Sequence, residues 1–155
     1  FNPADETQAM ANYNVWLRLI ELQGSYNWIL DRFHLTTQCY QRLNHDFHCD
    51  FMGLETRLLK LGFHMVHLTQ SESALAAALP AQGYPVGRSK IREVLKTQEL
   101  MGQLVEKSIL PTLSLDISGM EPRETEESII DWLEEVGHYT PPEKVPVEKL
   151  FLPTC

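Results

Sequence analysis

Between Tyr40 and Leu68 the apolar residues Tyr40, Leu43, Phe47, Phe51, Leu54, Leu58, Leu61, Met65 and Leu68 recur at steps of three or four. At about 100° per residue such a series stays on one stripe of an α-helix. Met52, Leu59, Phe63 and Val66 form a second stripe, and Asp46, Asp50, Arg57, Lys60 and His64 take the remaining sector. A helix with two apolar stripes must be covered on two sides. The pattern therefore predicts a long central helix over 40–68, the organising element of an all-α fold. Gly53 and Gly62 interrupt it at about 1 kcal/mol each against alanine. The spacing favours a close approach of neighbouring backbone at Gly53, and leaves either close approach or a break open at Gly62.

The other elements are read around that helix. Asn2-Pro3, followed by Asp5 and Glu6, signals a helix start, and Met10, Tyr13, Trp16 or Leu17, and Ile20 supply its inner face. Gly24 ends it, and Ser25 caps a segment carrying Trp28, Ile29 and Phe33. An alanine-rich helix over 71–79 closes at Pro80, and a loop follows over 81–88. From Ser89 an amphipathic helix runs to Pro111, and 112–120 reads as a connection with a few extended residues. A last helix starts near Thr125 and ends at Gly137. The expectation is one α-helical domain over 1–137, a bundle of about five helices. The segment 138–155 contains Pro141, Pro142, Pro146 and Pro153 and reads as an extended proline-rich tail. Its Val147, Leu150, Phe151 and Leu152 are apolar enough to bind a groove, on this domain or on a partner.

A chain of 155 residues fits a single core. Its net charge of −8 disfavours nucleic acid as a partner, and no apolar run is long enough for membrane insertion. Charge is uneven: seven acids and one base fall between Glu121 and Val136. Glu124, Glu127, Asp131, Glu134 and Glu135 on the last helix offer a docking face for a basic partner. The three cysteines are an odd number, and no Asn-x-Ser/Thr site occurs. Both features point to an intracellular, cytoplasmic or nuclear, location. The absence of methionine at Phe1 suggests a piece excised from a longer protein.

Two His-x-x-His pairs, His45/His48 and His64/His67, have the spacing of metal ligands on a helix. On one continuous helix, however, the pairs face different ways and lie roughly 25–30 Å apart at 1.5 Å per residue. No metal and no cofactor are therefore expected. Asn12-Tyr13-Asn14-Val15-Trp16 resembles the opening Tyr-Asn-x-Trp of the metal-binding bundles of the DinB family, across about five residues. That resemblance implies a metal-dependent bundle enzyme using those four histidines, although the family's later helical His-x-x-x-His is missing. A secreted four-helix cytokine-like signal also suits the length. The reading favoured by the sequence is a non-catalytic interaction module, a scaffold or adaptor domain. It would bind another protein through apolar grooves between helices and its acidic last helix, the partner supplying a basic or apolar helical or peptide segment.

Overall fold

A computed structural model of the protein describes residues 5–23, 27–81 and 88–138. Their elements are α1 (Asp5–Leu22), α2 (His34–His45), α3 (Met52–Lys60), β1 (Met65–Thr69), α4 (Glu72–Ala81), α5 (Arg88–Val105), β2 (Thr112–Asp116) and α6 (Pro122–Glu135). The protein is mostly helical, with a two-stranded parallel sheet, so the all-α expectation is corrected to an α/β one. Contacts divide the chain into two compact units, Phe1–Asp116 and Ile117–Cys155.

The long central helix does not form; its span holds the end of α2, all of α3 and β1. Three local devices break it. Asp46, just after α2, takes a left-handed conformation (φ 50°, ψ 34°), which short polar side chains tolerate better than most. Asp50 then restarts the helix, its carboxylate accepting the Met52 N–H at 2.9 Å. At the far end Gly62 sits at φ 79°. There the Gly62 N–H donates to the Leu59 carbonyl and the Phe63 N–H to the Leu58 carbonyl, the paired bonds of a Schellman ending. The glycine readings divide accordingly. A Cβ at Gly53 would meet nothing within 4 Å, so no backbone approaches closely there, whereas Gly62 is a break.

The stripe survived in phase because its middle is a true helix. Phe51, Leu54 and Leu58 are buried, while Tyr40, Leu61 and Leu68 at its margins are exposed. Residues 27–33, expected to lie in a second helix, are irregular, with Arg32 at φ 53° just ahead of α2. On α1 the inner face is Met10, Tyr13, Leu17 and Ile20, which selects Leu17 over Trp16.

In the first unit α1 packs on α3, and α2 and α4 pack on α5. Leu17, Cys49, Phe51, Leu54, Leu58 and Leu110 form one buried cluster, and Leu35, Cys39, Leu104 and Val105 another. Met65, at the head of β1, touches both clusters. β1 and β2 pair from Met65 against Thr112 to Thr69 against Asp116, with α4 and α5 making the crossover that parallel strands require.

In the second unit Pro122 opens α6, and the Glu124 carboxylate accepts the Glu121 N–H at 2.7 Å, an N-terminal box that places the start three residues before Thr125. Gly137 at φ 77° ends α6 in the position expected for it. Apart from His138, the tail expected over 138–155 lies outside the described residues.

Candidate functional site

Among the described residues of the first unit, the most deeply buried polar side chain is one that spacing in the sequence does not flag. His34 is the first residue of α2 and Glu55 lies in the first turn of α3. Both are buried, with His34 Nε2 2.8 Å from Glu55 Oε1. The other carboxylate oxygen accepts the Ile109 N–H at 2.9 Å. A carboxylate only accepts, so Nε2 carries the hydrogen and Nδ1 is left as the acceptor. Phe33 and Phe51 meet the imidazole edge-on, and both also pack against Tyr13, whose hydroxyl lies 2.6 Å from Thr37 Oγ1.

Burial pushes the His34 imidazole below its ordinary value, against the opposing hydrogen bond and charge of Glu55. The pair is therefore a neutral imidazole bonded to a carboxylate rather than an ion pair. Among the described residues the buried His34 Nδ1 has no hydrogen-bond partner. Burial raises the nearby Cys39 thiol, whose Sγ points to the Thr97 carbonyl at 3.7 Å. As placed, the dyad fastens α2, α3 and the segment entering β2 to one another.

The four histidines singled out in the sequence have four different surroundings. His45, at the end of α2, is exposed and meets Tyr40 edge-on at 5.9 Å. His48 is exposed, and its Nδ1 faces the Arg42 guanidinium at 2.7 and 3.0 Å. His64 places Nδ1 3.0 Å from the Gly62 carbonyl. His67, on β1, is half-buried, and its ring is the nearest group to the site of a Cβ on Gly102 of α5. No group of three or more histidine, cysteine or acidic residues among the described residues could hold a metal ion.

On α6, Glu124, Glu127, Asp131 and Glu135 are exposed and Glu134 is half-buried. Glu124 serves the helix start and Glu127 pairs with Arg123 at 2.9 Å, so part of the proposed acidic face is engaged within the helix itself. Val147, Leu150, Phe151 and Leu152 lie outside the described residues.

Two surfaces emerge that the sequence reading passed over. The first is the outer side of α1, where Val15 is 70% exposed, Trp16 51% and Leu22 67%, with Leu19 beside them. Val15, Leu19 and Leu22 step by four and three, a spacing legible in the sequence. The second is a groove of about 330 Å³ between β1 and α5, lined by His67, Leu68, Lys90, Glu93, Val94, Thr97, Gln98 and Met101. At its end the Gln98 amide accepts the Gln70 N–H and donates to the Gln70 carbonyl, at 2.9 and 3.0 Å, closing the strand as a neighbouring backbone would. Comparison with protein families, with characterised proteins and with solved structures gives no match, so any function has to be argued from these features alone.

Proposed function

We propose that the protein is a protein-protein interaction module and that the outer side of α1 is its principal docking face. The observation that carries this reading is the two-sided character of α1. Leu17 and Ile20 are buried in the core, while Val15, Trp16, Leu19 and Leu22 form an apolar stripe turned to solvent. Isolated exposed apolar residues are ordinary, but a contiguous stripe including a tryptophan is the composition of an interface core. The complementary partner presents an apolar helical or peptide segment. The exposed carboxylates of α6 offer a second, basic-seeking surface.

The test uses the double variant Trp16→Ser/Leu22→Ser, whose side chains are exposed, so the fold is expected to survive by circular dichroism. A protein retained in fixed stoichiometry by the wild-type chain from an extract of its source, and released by the double variant, is the expected result. Equal retention by both chains would refute this assignment of the docking face.

A further inference from the structure

The two buried clusters of the first unit meet along a seam. Leu17, Leu54 and Leu58 lie on one side with α1 and α3, and Leu35, Cys39 and Leu104 on the other with α2 and α5. Met65 touches both clusters, and polar bonds cross between them. Tyr13 meets Thr37, the Gln38 amide donates to the Cys49 carbonyl at 2.8 Å, and His34 donates to Glu55. Of the groups in these bonds, imidazole is the one whose ordinary titration falls between pH 5 and 8. We propose that the His34–Glu55 pair is an acid-sensitive latch on this seam, so that protonation of His34 lets the two clusters part along it. The latch does not rest on the docking face of α1, which lies on the outer side of that helix.

Three features make an imidazolium costly while the seam is closed. A proton on Nδ1 creates a buried N–H that has no acceptor among the described residues. His34 is also the first residue of α2, at the positive end of the helix dipole, where a cation is disfavoured. The first turn of α2 holds no acid, and Phe33 before it supplies no side-chain cap. Lastly, the rings of Phe33 and Phe51 meet the imidazole where water would otherwise solvate it. The charge that faces the ring is Glu55 of α3. The segment ahead of α3 brings Phe51, with Cys49 buried in the same cluster. The segment entering β2 brings the Ile109 N–H, with Glu106 and Lys107 before it exposed. α1 brings Tyr13, its hydroxyl engaged with Thr37, and Asp31 and Arg32 just ahead of α2 are exposed. Burial outweighs the hydrogen bond and charge of Glu55 and holds the closed imidazole below 6.5. In the parted state water reaches both partners and the ordinary value returns. The parted state therefore takes up a proton as pH falls through that region, and its population rises by at most about tenfold per pH unit.

Amide hydrogen exchange of the full chain from pH 7 to 5, corrected for intrinsic rates, with and without low urea, tests this. The Ile109 N–H, held by Glu55, should lose protection by up to about tenfold for each pH unit below 6.5, at a level little changed by urea. The buried Leu104 amide inside α5 should stay better protected and yield to urea as whole-chain unfolding does. His34→Gln keeps a donor for Glu55 but gains no proton, so it should make Ile109 protection indifferent to pH. His67→Gln, at the other imidazole lowered by burial, should leave the wild-type loss in place. Should His34→Gln not fold, the wild-type pH dependence at Ile109, set against that of His67→Gln, decides alone. Protection at Ile109 that does not change with pH in the wild type overturns the latch. A loss that persists in His34→Gln or vanishes in His67→Gln overturns it too. If Ile109 and Leu104 exchange at one level with one urea dependence, the chain unfolds as a whole and the seam does not part.

Discussion

His34 and His67 are both held below the ordinary imidazole value by burial, but their surroundings differ in kind. His34 is sealed between aromatic rings with a carboxylate on Nε2, and that carboxylate reaches on to the backbone at Ile109. His67 lies half-buried in an open groove, and its ring makes no hydrogen bond among the described residues. Depth of burial separates the two roles. A polar group out of reach of water must find partners within the protein and so ties elements together, whereas one at a groove can still be met by solvent or by another molecule.

The largest expected effect tests the sealed side of that contrast. Glu55→Ala strands the His34 Nε2–H and the Ile109 N–H together. At about 1–3 kcal/mol for each buried group left unpaired, it should cost about 2–6 kcal/mol in denaturant unfolding. His67→Ala should cost about 1 kcal/mol or less. Equal losses from the two substitutions would erase the distinction.

The next effect is on pH dependence. Because the folded His34 imidazole lies below its unfolded value of 6.5, the unfolded chain takes up a proton that the folded chain refuses as pH falls through that region. Stability therefore drops on acidification below about 6.5 until the folded value is reached, with a slope of at most about 1.4 kcal/mol per pH unit for one proton. His34→Gln should flatten this slope in unfolding measured from pH 7 to 5, and His67→Gln should flatten it less. The reverse order would mean that His67 is the more deeply sealed.

Smaller still is the effect of a half-buried counterpart to Glu55 on the same helix. Arg57 of α3 reaches α1 through Glu21 at 2.7 Å and Asn14 at 2.7 Å, near the surface. The hydrogen bond from Arg57 holds the Glu21 carboxyl below its ordinary value. Arg57→Ala should destabilise the chain less than Glu55→Ala, and an NMR titration should show Glu21 returning toward the ordinary carboxylate range. The smallest expected change is a gain. Gly53 lies in a helix with open space around it, so Gly53→Ala should stabilise by about 0.5–1 kcal/mol.

Much of the helical content was legible from periodicity: the inner face of α1, the amphipathic α5, and α6 with its terminal glycine. The error over 40–68 came from a coincidence of phase. α2, α3 and β1 each contribute apolar residues whose spacing continues the same stripe, and a five-residue strand is too short to show its own period. Asp46 and Asp50 looked like members of a polar strip and are in fact the end of one helix and the start of the next. A helix apolar on two sides needs two covers, and it is α1 whose second side, Val15, Trp16, Leu19 and Leu22, is exposed. His34 and Glu55 were out of reach for a different reason: they are 21 residues apart, and no local pattern announces that a histidine and a glutamate will be sealed together.

The parallel pairing of β1 with β2 also bears on how the chain reaches this structure. Thr69 and Leu115, neighbours at the end of the sheet, are 46 residues apart in sequence. Contacts between such distant segments form late, because closing the intervening loop costs entropy before pairing returns anything. Helical turns in α4 and α5 can form locally and early, while β1 leaves the ribosome well before its partner strand exists. Throughout that interval both edges of an uncharged strand are open, and crowded nascent chains have the chance to pair with one another before β2 arrives. High-level expression is therefore the condition under which this protein is most exposed to aggregation, and slowing its synthesis should raise the soluble yield.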